Sequence, residues 1–124
     1  MYSHGDSSVE FTIQSISKPL TYAMAISRLG NAMVDEKIGV EPSGDPFNSI
    51  RLNSDNHPFN PMVNAGAIAC TGLIHASKGD EAFEQIRLAL GRFAGRDLGV
   101  DEAVYTSESQ TGDRNRAIGY LLKT

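Results

Sequence analysis

The chain has 124 residues, 40% hydrophobic and 21% charged, with a formal net charge of −4 at pH 7. That is one domain's worth of ordinary globular composition. The acidic balance and the absence of a Lys/Arg run argue against a nucleic-acid partner, and no apolar stretch reaches the ~20 residues of a membrane-spanning helix.

The first residues, Met1-Tyr2-Ser3-His4-Gly5-Asp6, carry neither the charged nor the apolar region of a secretory leader, so a cytoplasmic setting is expected. Val9-Glu10-Phe11-Thr12-Ile13 alternates apolar and polar, the pattern of a half-buried strand. Pro19 is tolerated only near a helix start, which places one within a few residues of Ser15. Leu20, Ala23, Met24, Ile26 and Leu29 supply its apolar face, and Gly30 its stop. Prolines and Gly44 mark the stretch 41–48 as loop, and 53–61 reads the same way.

Asn64-Ala65-Gly66-Ala67-Ile68 opens a second helix, expected to run to about His75, which would face the negative end of its dipole. The small residues of its first turns call for close packing. The single cysteine, Cys70, lies in this helix and reads as a buried small hydrophobe rather than a reactive thiol. A third helix is expected from Asp80 as N-cap, through Phe83, Ile86, Leu90 and Phe93, to Gly95. A fourth starts near Gly112-Asp113, with Ile118, Leu121 and Leu122 as its apolar positions. The order is one or two strands, then helices joined by irregular loops, without a βαβ rhythm. A strand-like run beginning almost at Met1 and a helical pattern still in progress at Thr124 make the chain read as a segment cut at both ends.

The sharpest chemical feature is Ser15-Ile16-Ser17-Lys18. Residues three apart on a helical turn share a face, which puts the Lys18 amine within reach of the Ser15 hydroxyl. Serine is a weak nucleophile until a base takes its proton. Lysine serves as that base once burial or nearby positive charge lowers its pKa from about 10.4. By itself the spacing is a weak signal, because a solvated lysine beside a capping serine gives it too. Asn64 is at face value a helix cap, Glu108 a surface carboxylate and Asp113 a cap. An amino-acid pocket, however, needs a carboxylate for the ammonium group and amides or cations for the carboxylate. His4, His57 and His75 show no metal-ligand spacing, and no glycine-rich phosphate loop follows a strand.

Four motifs then converge. Gln14-Ser15-Ile16-Ser17-Lys18-Pro19; Glu41-Pro42-Ser43-Gly44 with Phe47-Asn48; Asn60-Pro61-Met62-Val63-Asn64-Ala65-Gly66-Ala67-Ile68; and Ser107-Glu108 with Gly112-Asp113-Arg114-Asn115 resemble, in order and spacing, glutaminases of the serine-dependent, β-lactamase-like family. The resemblance implies an α/β (α+β) fold of the serine β-lactamase/transpeptidase type, of which residues 1–124 form an incomplete, mostly helical part of the catalytic domain. It also implies hydrolysis of L-glutamine to L-glutamate and ammonia through a glutamyl ester, without metal or organic cofactor. Carried over by position, Ser15 resembles the nucleophile and Lys18 its base. Asn64, Glu108 and Asn115, with Gln14 and Ser15, resemble the substrate-binding residues. Glu108 is assigned to the substrate ammonium as the only carboxylate among them. The complete enzyme is expected to be a homo-oligomer with no nucleic-acid or membrane partner. Further pocket tyrosines of the family match none of Tyr2, Tyr22, Tyr105 and Tyr120, so these 124 residues alone are expected not to turn over glutamine.

Two alternatives stand beside this reading. A penicillin-interacting Ser-x-x-Lys enzyme draws on Ser54-Asp55-Asn56, yet Lys123-Thr124 lacks the glycine that completes the partner motif. A truncated, non-catalytic paralogue acting as an interaction module draws only on the chain's length, since every candidate site residue is intact.

Overall fold

Apolar spacing and glycine stops account for most of the helices in the computed structural model, which describes residues 2–123. A 3-10 turn over Gln14–Ile16 leads directly into α1, Ser17–Leu29. Thr21, Met24 and Ala25, at helical spacing, are its buried residues. Gly30 ends α1 with φ 84° and donates its N–H to the Ile26 carbonyl at 2.8 Å. Only glycine adopts that backbone without strain, and α2, Asn31–Lys37, starts immediately after it.

Residues 38–63 form no helix or strand. They are followed by α3, Asn64–Lys78, a 3-10 turn over Gly79–Glu81, and α4, Ala82–Ala94. Then come α5, Glu102–Thr111, and α6, Asp113–Leu121. Helix α4 closes on Gly95 at φ 70°, with Gly95 N–H on Arg92 O at 3.3 Å and Arg96 N–H on Gly91 O at 3.1 Å, the paired bonds of a Schellman stop.

Helix α3 is the centre of the packing and touches α1, α2, α4 and α6. Its inward row, Gly66, Cys70 and Ile74, repeats every four residues. Cys70 and Ile74 join Met24, Ala25, Val34, Ile38 and Ala82 in one core. The start of α3 is fixed by contact rather than by a cap. A Cβ on Gly66 would stand 1.9 Å from the Asn60 carbonyl oxygen, and one on Gly39 would stand 2.6 Å from that of Phe59. The segment between, with Pro58 and Pro61 buried, is clamped by these two approaches. Gly39 N–H on Pro58 O at 2.9 Å and Glu41 N–H on Phe59 O at 3.0 Å tie it down.

Several expectations need correction. Val9–Ile13 forms no strand: these residues have no regular structure, with Val9 63% and Phe11 80% exposed. A strand exists only by pairing, and among the described residues there is no strand to pair with. The regular elements among the described residues are therefore all helices, and the α/β character expected of the segment is not seen in them. Asp80 is not an N-cap, because α3 runs one turn past His75 to Lys78 and leaves Asp80 inside the 3-10 turn. Helix α4 turns Ala82, Ile86 and Ala89 inward, whereas Phe83 and Phe93 are exposed. Close packing on α1 and α3 selects the small residues for that face. Helix α6 ends at Leu121, and Leu122 and Lys123 form a turn; the expected continuation at Thr124 lies outside the described residues. Helices α2 and α5 were not anticipated. No helix among the described residues is long and apolar enough to cross a membrane.

Candidate functional site

Ser15 stands on a strained turn. Gln14 has φ 46°, a left-handed backbone that residues other than glycine rarely adopt. Such conformations cost about 1–3 kcal/mol and persist where neighbours hold them. Here Ser17 Oγ donates to the Gln14 carbonyl at 2.7 Å, Ile16 N–H bonds Ile13 O at 3.1 Å, and Gln14 Nε2 donates to Thr12 Oγ1 at 3.2 Å. Ser15 itself is exposed, and its hydroxyl makes no hydrogen bond among the described residues.

Lys18, one helical step further on, turns across to another helix. Its Nζ donates to Asn64 Oδ1 at 2.7 Å. It also lies 5.4 Å from the centroid of the Phe47 ring. Partial burial lowers its pKa below the ordinary lysine value by disfavouring the charged form. That is the direction a general base requires, although the structure does not join Lys18 to Ser15 by a hydrogen bond. Contacts of this kind often tighten only when substrate is bound.

Asn64 is the first residue of α3 and links three elements. Its backbone N–H donates to the Phe47 carbonyl at 2.8 Å. Its Nδ2 donates to Asn115 Oδ1 at 3.2 Å, near the start of α6. Lys18, Asn64 and Asn115, separated by 46 and 51 residues in the chain, thus form one hydrogen-bonded row. Asn64 is not a side-chain cap of its helix; its amide is spent on this row instead.

Glu108 is placed differently. It lies on α5 and is exposed, and its carboxylate makes no hydrogen bond or ion pair among the described residues. Helix α5 is capped by Asp101, whose Oδ1 accepts from Val104 N–H at 3.0 Å. At its other end Arg116 donates to the Ser109 carbonyl and, at 2.8 Å, to Asp113 Oδ1. A Cβ on Gly112 would stand 2.9 Å from the Glu108 carbonyl oxygen, so the α5–α6 bend requires glycine there. Gln14 turns its amide to Thr12 and joins none of the other candidates.

The model of the glutaminase family matches residues 1–124. This chain belongs to the glutaminase family. It is 80% identical over its whole length to glutaminase 1 of Bradyrhizobium diazoefficiens, of which it covers 20%. It is 48% identical to a glutaminase of Clostridioides difficile, with all of this chain and 41% of that protein covered. Among solved structures, a probable glutaminase of Bacillus subtilis superposes with a TM-score of 0.84 at 38% identity, over 93% of this chain and 38% of that one. Mglu in its glutamate form superposes with a TM-score of 0.86 at 42% identity, over 96% and 28%. The chain thus spans between a fifth and about two-fifths of the curated relatives named here.

Other features of this glutaminase-family chain have structural explanations. Ser54-Asp55-Asn56 is a turn organised by Asn53, whose Oδ1 accepts from Asp55 N–H at 3.0 Å and His57 N–H at 2.9 Å. Among the described residues no hydrogen bond links that triplet to Ser15 or Lys18. Cys70 is fully buried, and burial pushes its thiol up to about 11, as suits an inert core residue. No group of three His, Cys, Asp or Glu among the described residues is arranged to hold a metal ion. Two surface concavities lie away from Lys18. One of about 430 Å³ is at the C-terminal end of α4, and one of about 450 Å³ runs along the outer face of α3. The residue that sequence reading passed over is Phe47: it was quoted only as part of a motif, and nothing in its spacing points to Lys18.

Proposed function

We propose that this chain carries the nucleophile and the base of an enzyme that hydrolyses L-glutamine to L-glutamate and ammonia. Its place is the nucleophile-bearing part of a catalytic domain of the serine β-lactamase/transpeptidase type. The observation that carries the reading is the row Lys18–Asn64–Asn115, one helical step beyond Ser15. Three elements distant in sequence converge on a half-buried amine whose pKa is lowered. Family membership and a solved relative in its glutamate form support the substrate class.

In this reading neutral Lys18 takes the proton of Ser15 Oγ as Oγ bonds to the side-chain amide carbon of glutamine. The partial positive charge of the helix start favours the developing oxyanion. The carbon–nitrogen bond then breaks, Lys18 passes its proton to the leaving nitrogen, and ammonia departs. Water attacks the ester, glutamate leaves, and Ser15 regains its proton. Asn64 and Asn115 orient the carboxylate and amide ends of the substrate, Glu108 receives its ammonium group, and Gln14 lines the pocket. No metal or organic cofactor enters the cycle. The enzyme works in the cytoplasm as a homo-oligomer, and these 124 residues alone do not turn over glutamine.

The test is glutamate release from L-glutamine by the full natively encoded polypeptide and by its Ser15→Ala variant. Ser15→Ala is expected to lower kcat by about a thousandfold or more while glutamine still binds. Full activity in that variant would sink the mechanism. The base must be neutral to act, so kcat/KM is expected to rise with pH through the Lys18 pKa. Burial lowers that pKa, so the midpoint of the rise is expected below the 10.5 of ordinary lysine.

A further inference from the structure

Phe47 is an apolar residue with little share in the core. It is 62% exposed, yet two contacts converge on it. The Lys18 ammonium lies 5.4 Å from its ring centroid, over the face of the ring. That is inside the ~6 Å over which an aromatic face attracts a cation. The Phe47 carbonyl accepts the Asn64 backbone N–H at 2.8 Å, and Asn64 Oδ1 accepts from Lys18 at 2.7 Å. One residue therefore touches both members of the Lys18–Asn64 pair.

The segment presenting Phe47 has no regular structure but is braced on itself. Ser49 N–H bonds the Pro46 carbonyl at 2.9 Å, closing a turn around Phe47. Arg51 Nη1 pairs with Asp45 Oδ2 at 3.2 Å, and the Arg51 guanidinium lies 5.4 Å from the Phe59 ring centroid. Phe59 belongs to the segment clamped between Gly39 and Gly66. The path from the clamp to Phe47 is thus a series of specific contacts. Beyond Phe47 it reaches the Lys18 side chain, a flexible four-carbon stem with much rotamer freedom to lose.

The geometry points to Phe47 as a positioning residue for Lys18: its ring holds the amine from one side, and its carbonyl anchors the amide that holds it from the other. This rests on the reading of Lys18 as the base. The ring attracts the charged ammonium, so it orders Lys18 in its resting form, before the amine loses its proton and acts as the base, and that ordering is complete before the reaction begins. Phe47 does not touch the reacting atoms, and its effect passes through Lys18.

The experiment compares Phe47→Leu and Phe47→Tyr in the full natively encoded polypeptide. Leucine keeps an apolar side chain but has no ring face, whereas tyrosine restores the face. Because Phe47 is exposed, neither variant disturbs the core. Phe47→Leu is expected to lower kcat about tenfold with KM within about twofold, and Phe47→Tyr to return kcat to near its native value. The Lys18 ε-methylene protons, shifted upfield in the NMR spectrum by the ring, are expected to move downfield in Phe47→Leu and back in Phe47→Tyr. That spectroscopic readout needs no turnover. If Lys18→Ala retains activity, the assignment of Lys18 as base falls, while a lost ring shift in Phe47→Leu still supports the positioning. Unchanged Lys18 shifts in Phe47→Leu, or an unchanged kcat there alongside an inactive Lys18→Ala, overturns the inference.

Discussion

Helices α3 and α5 differ in how they are held, and the candidate site draws on both. Helix α3 is packed by α1, α2, α4 and α6 and buries Ala65, Gly66, Cys70 and Ile74. Helix α5 buries no residue and packs substantially on no other helix. It is fixed at its ends by the Asp101 cap and the Arg116 contacts. Asn64, with Lys18 bound to it, therefore stands on the best-held part of the molecule, and Glu108 on the least-held. The amine and its amide partner are preorganised by the core, whereas the position of the carboxylate depends on two terminal contacts.

Removing core volume is the most damaging way to break this contrast. Ile74→Ala deletes most of a fully buried side chain from α3 and is expected to cost about 2–5 kcal/mol in urea unfolding. It should also expose Cys70, which is buried in the native protein, so that labelling by a thiol reagent is expected to be faster in the variant. A smaller loss in Ile74→Ala than in any α5 substitution would reverse the ranking of the two helices.

Gly66→Ala attacks the same region through the backbone. The new Cβ cannot coexist with the Asn60 carbonyl, so the segment or the helix start must move. A cost at the upper end of the roughly 1–3 kcal/mol typical of overpacking is expected. Because Asn64 begins the same helix turn, the loss should be accompanied by weaker turnover. A crystal structure of the variant with Asn60 and Asn64 unmoved would contradict this.

The smallest effect sharpens the comparison from the other side. Asp101→Ala removes the cap of α5 and is expected to cost about 1 kcal/mol. Amide exchange should accelerate over residues 102–111 while α1 and α3 keep their protection. Cys70 labelling should stay at its native rate. Protection lost equally in α3 would mean that the two regions unfold as one.

How far the fold could be read in the sequence depended on the strength of the local signal. Met24, Ile26 and Leu29 ahead of Gly30, and Ile86 ahead of Gly95, mark α1 and α4 because apolar spacing and a glycine stop agree. Asn31–Lys37 is seven residues long with only Val34 buried, too short for periodicity to show. Glu102–Thr111 has no apolar stripe at all, and only its Asp101 cap could have announced it. Val9–Ile13 misled in the opposite way, since its alternation is a local pattern and a strand is a pairing. For the candidate site, the local spacing of Ser15 and Lys18 was a weak signal, and Asn64 and Asn115 were named only because their motifs resemble a family; the contact of Lys18 with Asn64, and of Asn64 with Asn115, was in neither.

The sequence by itself determined the stops of α1 and α4 at Gly30 and Gly95, the starts of α3 and α6, the inert burial of Cys70 and the residue types available for chemistry. These follow from backbone preferences and from the drive to remove apolar surface from water, both written over a few residues. Only the tertiary structure decided that Lys18 bonds Asn64 rather than Ser15, that Asn115 completes the row, and that Phe47 stands over the amine. Those partners lie tens of residues apart. They are brought together by the packing of α1 and α6 on α3, whose start is fixed where Gly66 leaves room for the Asn60 carbonyl.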